Sequence, residues 1–329
     1  MKRKVIIDCD PGIDDSLALM LALGADDIEV LGITIVCGNC PNIMGFENAK
    51  QVLHHMQRLD IPIYIGAEKP LVKEYVDALD THGKDGLGES FLTAIDGYHQ
   101  TADAVDFLID TIKKEHCSVI ALGPLTNLAH AAMKEPSILS DIDQLISMGG
   151  NFRSHGNCSP VSEYNYWEDP EAAAFIYQQM SKIHKKIHMI GLDVTRKIVL
   201  TPNLLSYIER LNPYHGSFIR KITRFYFTFH WEWEHIIGCV INDPLAMALF
   251  LNPHICSGFS AFVEVVNDGP ARGQTIVDEY GFYRKEANAV VYTKTDPAAF
   301  FRLFFKRLLH LSETELDYLN ELIVKEYEK

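Results

Sequence analysis

The sequence has no basic cluster and no long apolar run. Its 329 residues carry 30 Lys and Arg against 44 Asp and Glu, which gives a formal net charge of −14. A protein of this sign repels phosphate backbones and anionic lipids, so neither nucleic acid nor membrane is expected as a partner. The three apolar residues that follow Lys2-Arg3-Lys4 are too few for a signal peptide, and no stretch reaches the roughly 20 apolar residues of a membrane span. We therefore expect a cytoplasmic protein that binds a small molecule.

Paired cysteines and linkers are also scarce. The chain has seven cysteines, which is an odd number, and they lie in apolar stretches of sequence. Both facts favour reduced, buried thiols over a disulfide framework. Cys37 and Cys40 form one CxxC with no second pair nearby, so packing is a better interpretation than a zinc site. No Ser-, Gly- or Pro-rich linker divides the chain, and its hydrophobic content of 47% can fill a large core. We expect a single domain over residues 1–329.

Short apolar runs alternate with helical patterns through the first two hundred residues. The runs predict strands at Val5 to Ile7, Val30 to Val36, Ile63 to Ile65, Val119 to Leu122, Leu145 to Met148 and His188 to Leu192. This alternation predicts an α/β fold with an open, mainly parallel, Rossmann-like sheet flanked by helices. Beyond residue 200 the pattern predicts extra helices near 213–235, 297–309 and 314–327. It also predicts a small antiparallel addition from 259–266, 274–277 and 288–292.

The most informative segment is Asp8-Cys9-Asp10-Pro11-Gly12-Ile13-Asp14-Asp15, where four carboxylates follow the first strand. Asp8 and Asp10 share one side of the strand by alternation, whereas Asp14 and Asp15 fall in the first turn of a helix. A helix N-terminus favours negative charge by only about 0.3–1 kcal/mol per group, which does not offset the repulsion among four acids. An all-oxygen set of this kind favours bound calcium or magnesium. The alternative is helix capping with a solvated acidic turn.

Turn residues and polar side chains follow several of the predicted strands. They are Cys37-Gly38-Asn39, Gly123 to Asn127, Gly149-Gly150-Asn151 and Asp193. Ligands bind at the carboxyl ends of the strands in such sheets, so these segments are expected to meet the acidic turn in space. Two long insertions, about 67–100 and 151–168, are candidate active-site loops.

Three further places are candidates for chemistry. Asp243 precedes Pro244 at the start of an apolar helix, where it could be a bare N-cap or part of the acidic site. Asn157, Glu163 and Asn165 lie in one loop and could bind vicinal hydroxyls, although a solvated loop would look the same. His82 lies in a glycine-rich insertion, and a lone loop histidine is usually at the surface.

These motifs resemble those of the inosine-uridine-type nucleoside hydrolases, calcium-dependent enzymes that split a ribonucleoside into base and ribose. The resemblance spans about residues 5–250 and rests on the acidic turn, Gly38-Asn39, Gly123 to Asn127, Met148-Gly149-Gly150, Asn157 to Asn165, Gly191 to Thr195 and Asp243-Pro244. It implies hydrolysis of the N-glycosidic bond and, as is common in the family, a homodimer or homotetramer.

The resemblance also implies roles for individual residues. Calcium would be held by Asp10, Asp15, the backbone carbonyl of Thr126 and Asp243, and Asp10 would take a proton from water activated by the metal. The ribose hydroxyls would be bound by Asp14, Asn39, Asn157, Glu163 and Asn165. Met148 would pack under the sugar, and His82 would approach the base or the pocket mouth. Asp8 is then expected to support the site from behind.

One position departs from the family pattern. Many members have a histidine before the metal-binding aspartate as a candidate proton donor to the base, whereas this chain has Asn242, which cannot deliver a proton at neutral pH. We hypothesise that Tyr226 and His230, four residues apart on one helical face, contact the base, the alternative being that they line the core or a subunit contact. A nucleoside-binding protein without turnover and a haloacid-dehalogenase-like phosphatase are the competing functions.

Overall fold

A computed structural model describes residues 2–98 and 103–327. The strands in these ranges are β1 Arg3–Cys9, β2 Ile28–Ile35, β3 Ile63–Ile65, β4 Ser118–Ala121, β5 Leu145–Met148, β6 Ile187–Ile190, β7 Val199–Leu200, β8 Cys239–Val240, β9 Cys256–Val265, β10 Thr275–Asp278 and β11 Ala289–Thr295. The helices are α1 Ile13–Leu23, α2 Asn42–His55, α3 Leu79–His82, α4 Ala104–Glu115, α5 Thr126–Lys134, α6 Ile138–Asp141, α7 Tyr164–Glu168, α8 Pro170–Lys182, α9 Leu192–Thr195, α10 Pro202–Leu211, α11 Pro213–Glu234, α12 Asp243–Leu251, α13 Pro297–Leu309 and α14 Glu313–Tyr327.

The described residues form one nine-stranded sheet in the order β10-β9-β11-β6-β5-β4-β1-β2-β3. The strands from β6 to β3 in this order pair in parallel, as the alternation of strands and helices predicted. Strand β1 lies inside the sheet and is buried on both faces. Its Ile6 packs into one hydrophobic core and its Val5 and Ile7 into the other, because alternate side chains point to opposite faces. The α/β prediction is confirmed.

The antiparallel addition is continuous with the main sheet. Strand β11 pairs in parallel with β6, and β9 pairs antiparallel with both β11 and β10. A separate antiparallel pair, β7 with β8, was not predicted from the sequence. Each of its strands has two residues, which is too short to give a periodic pattern. This pair leads directly into Asn242 and the start of α12.

The helices nearest the acidic turn are unusual because they are buried all round. Every residue of α1 and of α12 is buried, and the two helices pack against each other. A helix that is apolar on every side lies in the core and not at the surface. Only Asp14 and Asp15 in α1 and Asp243 in α12 bring charge into this contact, at the N-terminus of each helix.

The first long insertion, 67–100, contains α3 and otherwise consists of turns and irregular chain, and its last residues His99 and Gln100 lie outside the described residues. The second, 151–168, ends in α7. No helix within 2–98 and 103–327 is long and apolar enough to cross a membrane.

Candidate active site

The acidic turn is folded around its own carboxylates. Strand β1 ends at Cys9, and α1 begins at Ile13. Asp15 accepts hydrogen bonds from the backbone N–H of Gly12 at 3.0 Å and of Asp10 at 3.2 Å, so it caps its own helix. Asp8 accepts from the Thr34 hydroxyl at 2.5 Å and from the Asn127 side-chain amide at 2.8 Å. Asp8 therefore anchors β1 to its neighbouring elements and is not equivalent to Asp10, despite strand alternation.

Asp10 is enclosed by the two segments that follow β2 and β4. One carboxylate oxygen, Oδ2, accepts from the backbone N–H of Asn39 at 2.7 Å. The other, Oδ1, is buried and has no hydrogen-bond partner among the described residues. A Cβ atom on Gly38 or Gly123 would overlap the Asp10 carboxylate, so both positions require glycine for close approach. Burial, with the charge of Asp15 second, raises the pKa of Asp10 well above its ordinary value.

A second group of carboxylates lies at the meeting point of α1 and α12. Asp14, Asp15 and Asp243 are all buried, and each offers an oxygen within 4.8 Å of the others. Burial and the neighbouring acids raise the pKa of Asp243 well above its usual range and that of Asp15 to about 6. An acidic set of this kind, in which like charges meet without a cation, fits a hard divalent metal ion.

The metal set predicted from the sequence only partly matches this group. Asp15 and Asp243 are in it, Asp14 takes part although it was assigned to ribose, and Asp10 adjoins it through Asp15. Thr126 begins α5, and its hydroxyl donates to Asp169 at 2.7 Å. Coordination by the Thr126 carbonyl stays a prediction.

Asp14 is held by three donors that converge on one oxygen. Its Oδ2 accepts from the backbone N–H of Asn242 at 3.1 Å, from the Asn242 side-chain amide at 3.1 Å and from the Tyr226 hydroxyl at 3.4 Å. Asn242 is thus a positioning residue for Asp14 in this structure. Its own carbonyl oxygen, Oδ1, is buried and lacks a partner among the described residues.

These residues form one end of a cavity of about 510 Å³, a size typical of small-molecule sites. Its lining includes the following residues assigned to substrate or catalysis from the sequence: Asp14, Asn39, His82, Met148, Asn157, Glu163, Asn165, Tyr226, His230, Asn242 and Asp243. Asp10 and Asp15 are fully buried next to this end. The cavity therefore brings nearly all of the predicted substrate residues together.

The loop before α7 forms one wall near the acidic end. Glu163 accepts from the backbone N–H of Gly150 at 2.7 Å and of Asn165 at 2.8 Å, and burial raises its pKa to about 7. The Asn165 amide donates to the carbonyls of Leu122 at 2.6 Å and Met148 at 3.1 Å. Asn157 is exposed and accepts from the backbone N–H of Tyr164. This loop is therefore built by its polar side chains and is not a merely solvated segment.

Helices α11 and α3 supply the wall of the cavity that adjoins Asp14 and continues toward the exposed mouth. The rings of Tyr226 and His230 lie 4.4 Å apart in an edge-to-face arrangement, and His82 lies 5.4 Å from Tyr226. His82 is only 4% exposed, lines the cavity and accepts at Nδ1 from the backbone N–H of Ile13, so the alternative of a surface histidine does not hold. His230 donates a hydrogen bond through Nδ1 to the Tyr226 carbonyl, so this bond uses Nδ1 and does not involve Nε2. Burial lowers the pKa of both histidines, so both are neutral near pH 7.

The lining of the cavity includes residues that were not assigned a role from the sequence. Among them are Trp167, His155, Arg196, Phe229, Trp233 and Glu234, together with Tyr164, whose hydroxyl donates to the Gly38 carbonyl beside Asp10. Trp233 is 73% exposed, and its ring lies 6.3 Å from that of Phe229. Arg196 directly follows the Gly191 to Thr195 motif, and this adjacency was the available signal for it. Asp193, from the same motif, accepts from the backbone N–H groups of 152–154 and so holds the loop in place.

Comparison with known proteins gives consistent results. A family model described as inosine-uridine preferring nucleoside hydrolase matches residues 5–302. The pyrimidine-specific ribonucleoside hydrolase RihB of Shigella flexneri is 32% identical over 305 residues, covering 92% of this chain and 96% of that protein. The solved structure of the purine-preferring ribonucleoside hydrolase from Gardnerella vaginalis has a TM-score of 0.87 and 30% identity, over 94% of this chain and 98% of that one. A plant nucleoside hydrolase, PpNRh1, superimposes with the same TM-score and identity, over 94% and 100% of the two chains.

Proposed function

Because this chain belongs to the inosine-uridine preferring nucleoside hydrolase family and hydrolyses ribonucleosides to free base and ribose, we propose that the acidic end of the cavity carries out this reaction with calcium. Asp10 acts as the general base. The unpartnered, buried Oδ1 of Asp10, which lies against Gly123, is the observation that carries the proposal. Buried carboxylate oxygens are almost always paired, and an unpaired one is suited to accept a proton or bind a cation.

The calcium ion would be held by Asp10, Asp15, Asp243 and the carbonyl of Thr126, with ribose hydroxyls and water completing its shell. The group formed by Asp14, Asp15 and Asp243, with Asp10 beside Asp15, supports this assignment. Calcium takes six to eight oxygens and accepts carboxylate, carbonyl and hydroxyl oxygens alike. When bound, the ion would polarise water and the sugar hydroxyls.

The protein side chains then account for each part of the reaction. Oδ1 of Asp10 accepts a proton from the attacking water, while hydrogen bonds from Asn39 and contacts with two glycines fix its direction. The bond from C1′ to the base lengthens, and positive charge develops on the ribose ring. The buried acids Asp14 and Glu163 stabilise that charge electrostatically.

Ribose is bound by the polar groups around this end. Asp14, Asn39, Asn157, Glu163 and Asn165 contact its hydroxyls, and Met148 packs beneath the ring. Their shared position in the lining of one cavity supports these roles. The hydrogen bonds that fix Glu163 and Asn165 to the backbone pre-orient them, which limits the entropy lost on binding. Tyr226, His230 and His82 contact the base. Two of the similar proteins differ in base preference: RihB of Shigella flexneri is pyrimidine-specific, and the hydrolase from Gardnerella vaginalis is purine-preferring.

Release of ribose from inosine, adenosine, guanosine, uridine and cytidine tests this function, with phosphate release from sugar phosphates measured in parallel. We expect ribose from at least one nucleoside and no phosphate, because the pocket is acidic and repels anions. Ribose release from none of the five would contradict the proposal. Nucleoside binding by calorimetry without ribose release would favour the binding protein, and phosphate release would favour the phosphatase. We propose a homodimer or homotetramer, which sedimentation would test.

A further inference from the structure

Nearly all of the charged side chains that line the cavity are acidic. Its acidic lining residues are Asp14, Asp77, Asp80, Glu163, Glu234 and Asp243. Arg196 is the only lysine or arginine that lines it within residues 2–98 and 103–327. An acidic pocket stabilises positive charge on the sugar but repels the electron pair that leaves with the base. A cation at the other end of the cavity would relieve this conflict.

Arg196 is fixed at the mouth by three groups. Its Nη2 donates to the Gly156 carbonyl at 3.0 Å and lies 3.5 Å from Glu234, and its Nη1 contacts the ring of His155. The side chain is 18% exposed. Its Nε–H is buried and has no partner within the described residues. A buried guanidinium N–H that lacks a partner is costly, so the protein itself leaves Arg196 incompletely hydrogen-bonded beside the cavity.

Contacts along α11 connect Asp14 to Arg196. The Tyr226 hydroxyl lies 3.4 Å from Asp14, and the His230 ring lies 4.4 Å from the Tyr226 ring. Glu234 follows His230 by four residues on the same helix, so the two share one face, and Arg196 lies 3.5 Å from Glu234. All five side chains line the same cavity, so a nucleoside whose ribose contacts Asp14 would extend its base along this face toward Arg196.

We propose that Arg196 is a catalytic residue that binds the departing base and stabilises the negative charge it acquires, for bases that carry a carbonyl oxygen. This inference rests on the proposed function. The C1′–N bond breaks and both electrons go to the base, while the water oxygen forms the new bond to C1′ and loses one proton to Asp10. Arg196 donates a hydrogen bond to a carbonyl oxygen of the base and keeps its own proton, since its guanidinium is always charged. The base then takes a proton from water. Asn242 need not supply an acid in this route.

Arg196→Gln and Arg196→Lys test the assignment with substrates that differ in their leaving group. We expect Arg196→Gln to lower kcat/KM for uridine and inosine by about 100-fold, the size of effect seen when one charge-stabilising donor is removed. The variant should change kcat/KM for p-nitrophenyl riboside, whose leaving group needs no assistance, by less than about 3-fold. Arg196→Lys should recover only part of the loss, because an ammonium lacks the guanidinium fork. Added guanidinium ion should partly rescue Arg196→Ala.

Arg153→Gln is the matched control. Arg153 lies in the loop that Arg196 contacts through Gly156, but the Arg153 side chain is 66% exposed and pairs with Glu279 outside the cavity, so activity should be unchanged. An equal loss on nucleosides and p-nitrophenyl riboside would overturn the proposal, because it would mean that Arg196 only holds the loop to α11. No loss on either substrate would overturn it as well. Wild-type protein that releases no ribose from any nucleoside would instead contradict the proposed function, so the two failures are distinguishable.

Discussion

The two ends of the cavity are built in different ways. At the sugar end, polar groups from the ends of β1, β2 and β5 and from the starts of α1 and α12 hold one another, and Asp10, Asp15 and Asp243 are all buried. At the mouth, one long helix and an irregular loop supply aromatic rings, and Trp233 is 73% exposed. The first arrangement fixes reacting groups, whereas the second leaves room for bases of different shape. We infer that the sugar end determines whether the reaction occurs and that the mouth determines which base is released.

The largest effect is expected at the sugar end. Asp10→Asn removes the proton acceptor and a proposed metal ligand, and should lower kcat for every nucleoside by a similar factor, on the order of 10³ or more. Steady-state kinetics with uridine and inosine would measure it, and calorimetry would show whether calcium binding weakens in parallel. A change in the ratio of kcat for uridine to kcat for inosine would contradict the proposal that the sugar end acts equally on every nucleoside.

A smaller effect should follow from Gly38→Ala. The added Cβ would overlap the Asp10 carboxylate, so we expect kcat to fall by roughly 100-fold, because a displacement of about 1 Å at the reacting group has this effect. Gly281→Ala is the control, since nothing lies within 4 Å of its Cβ and its φ of 73° should lower stability by only about 1–3 kcal/mol. Unchanged kinetics in Gly38→Ala would show that the position of Asp10 is less restricted than proposed.

A change at a side chain proposed to contact the base should alter selectivity more than chemistry. His230→Ala removes a neutral ring from the base end, so we expect kcat/KM to fall by roughly 10-fold and the ratio of uridine to inosine to change, mainly through KM. Competition assays with both nucleosides would measure the ratio. Trp231→Ala is a control, because Trp231 lies on the same helix and is 55% exposed but does not line the cavity. A constant ratio in His230→Ala would place base selection elsewhere.

The smallest effect concerns stability away from both ends. His55 lies between the rings of Tyr214 and Phe218, bonds to His215 at 3.0 Å and so joins α2 to the start of α11. Burial, followed by His215, lowers its pKa to about 4. This pKa is below the pKa of about 6.5 that histidine has in an unfolded chain. The contribution of His55 to the free energy of unfolding is therefore complete above about pH 6.5 and is lost as the pH falls toward 4.

The free energy of unfolding, measured by urea titration from pH 7 to pH 4, would test this point. His55→Gln should be less stable at pH 7 and should show a weaker decline toward pH 4 than wild type. His54→Gln, which changes the exposed neighbour, is the control. An identical decline in His55→Gln and wild type would contradict the assignment.

The sequence was more informative about the sugar end than about the mouth, for a physical reason. Carboxylates and glycines directly after apolar strands have few alternative uses, so Asp10, Asn39 and Gly123 could be predicted to meet at one sheet edge. At the mouth, aromatic residues in the same sequence pattern could line a core, a subunit contact or a pocket. Arg196 had no distinguishing sequence feature either, because arginine is common at protein surfaces. The residue pattern around His82 left a surface position open as an alternative, because the burial of His82 depends on the packing of α3 against α11, which has no local sequence signal.

The distinction between Asp8 and Asp10 shows a similar limit. Alternation along β1 makes them equivalent, yet Thr34 and Asn127 bind Asp8 from distant parts of the chain. The β7–β8 pair, which positions Asn242 against Asp14, also depends on contacts between residues about 40 apart in sequence. Long-range pairing therefore accounts for most of what the sequence alone did not predict.

Calcium titration of EDTA-treated protein tests the central claim most directly, with bound metal and ribose release followed in the same samples. Metal binding and activity should rise together, and both should saturate at one ion per chain. In Asp243→Asn both curves should shift to higher calcium concentration. Full ribose release from protein that holds no metal would contradict the proposed role of calcium.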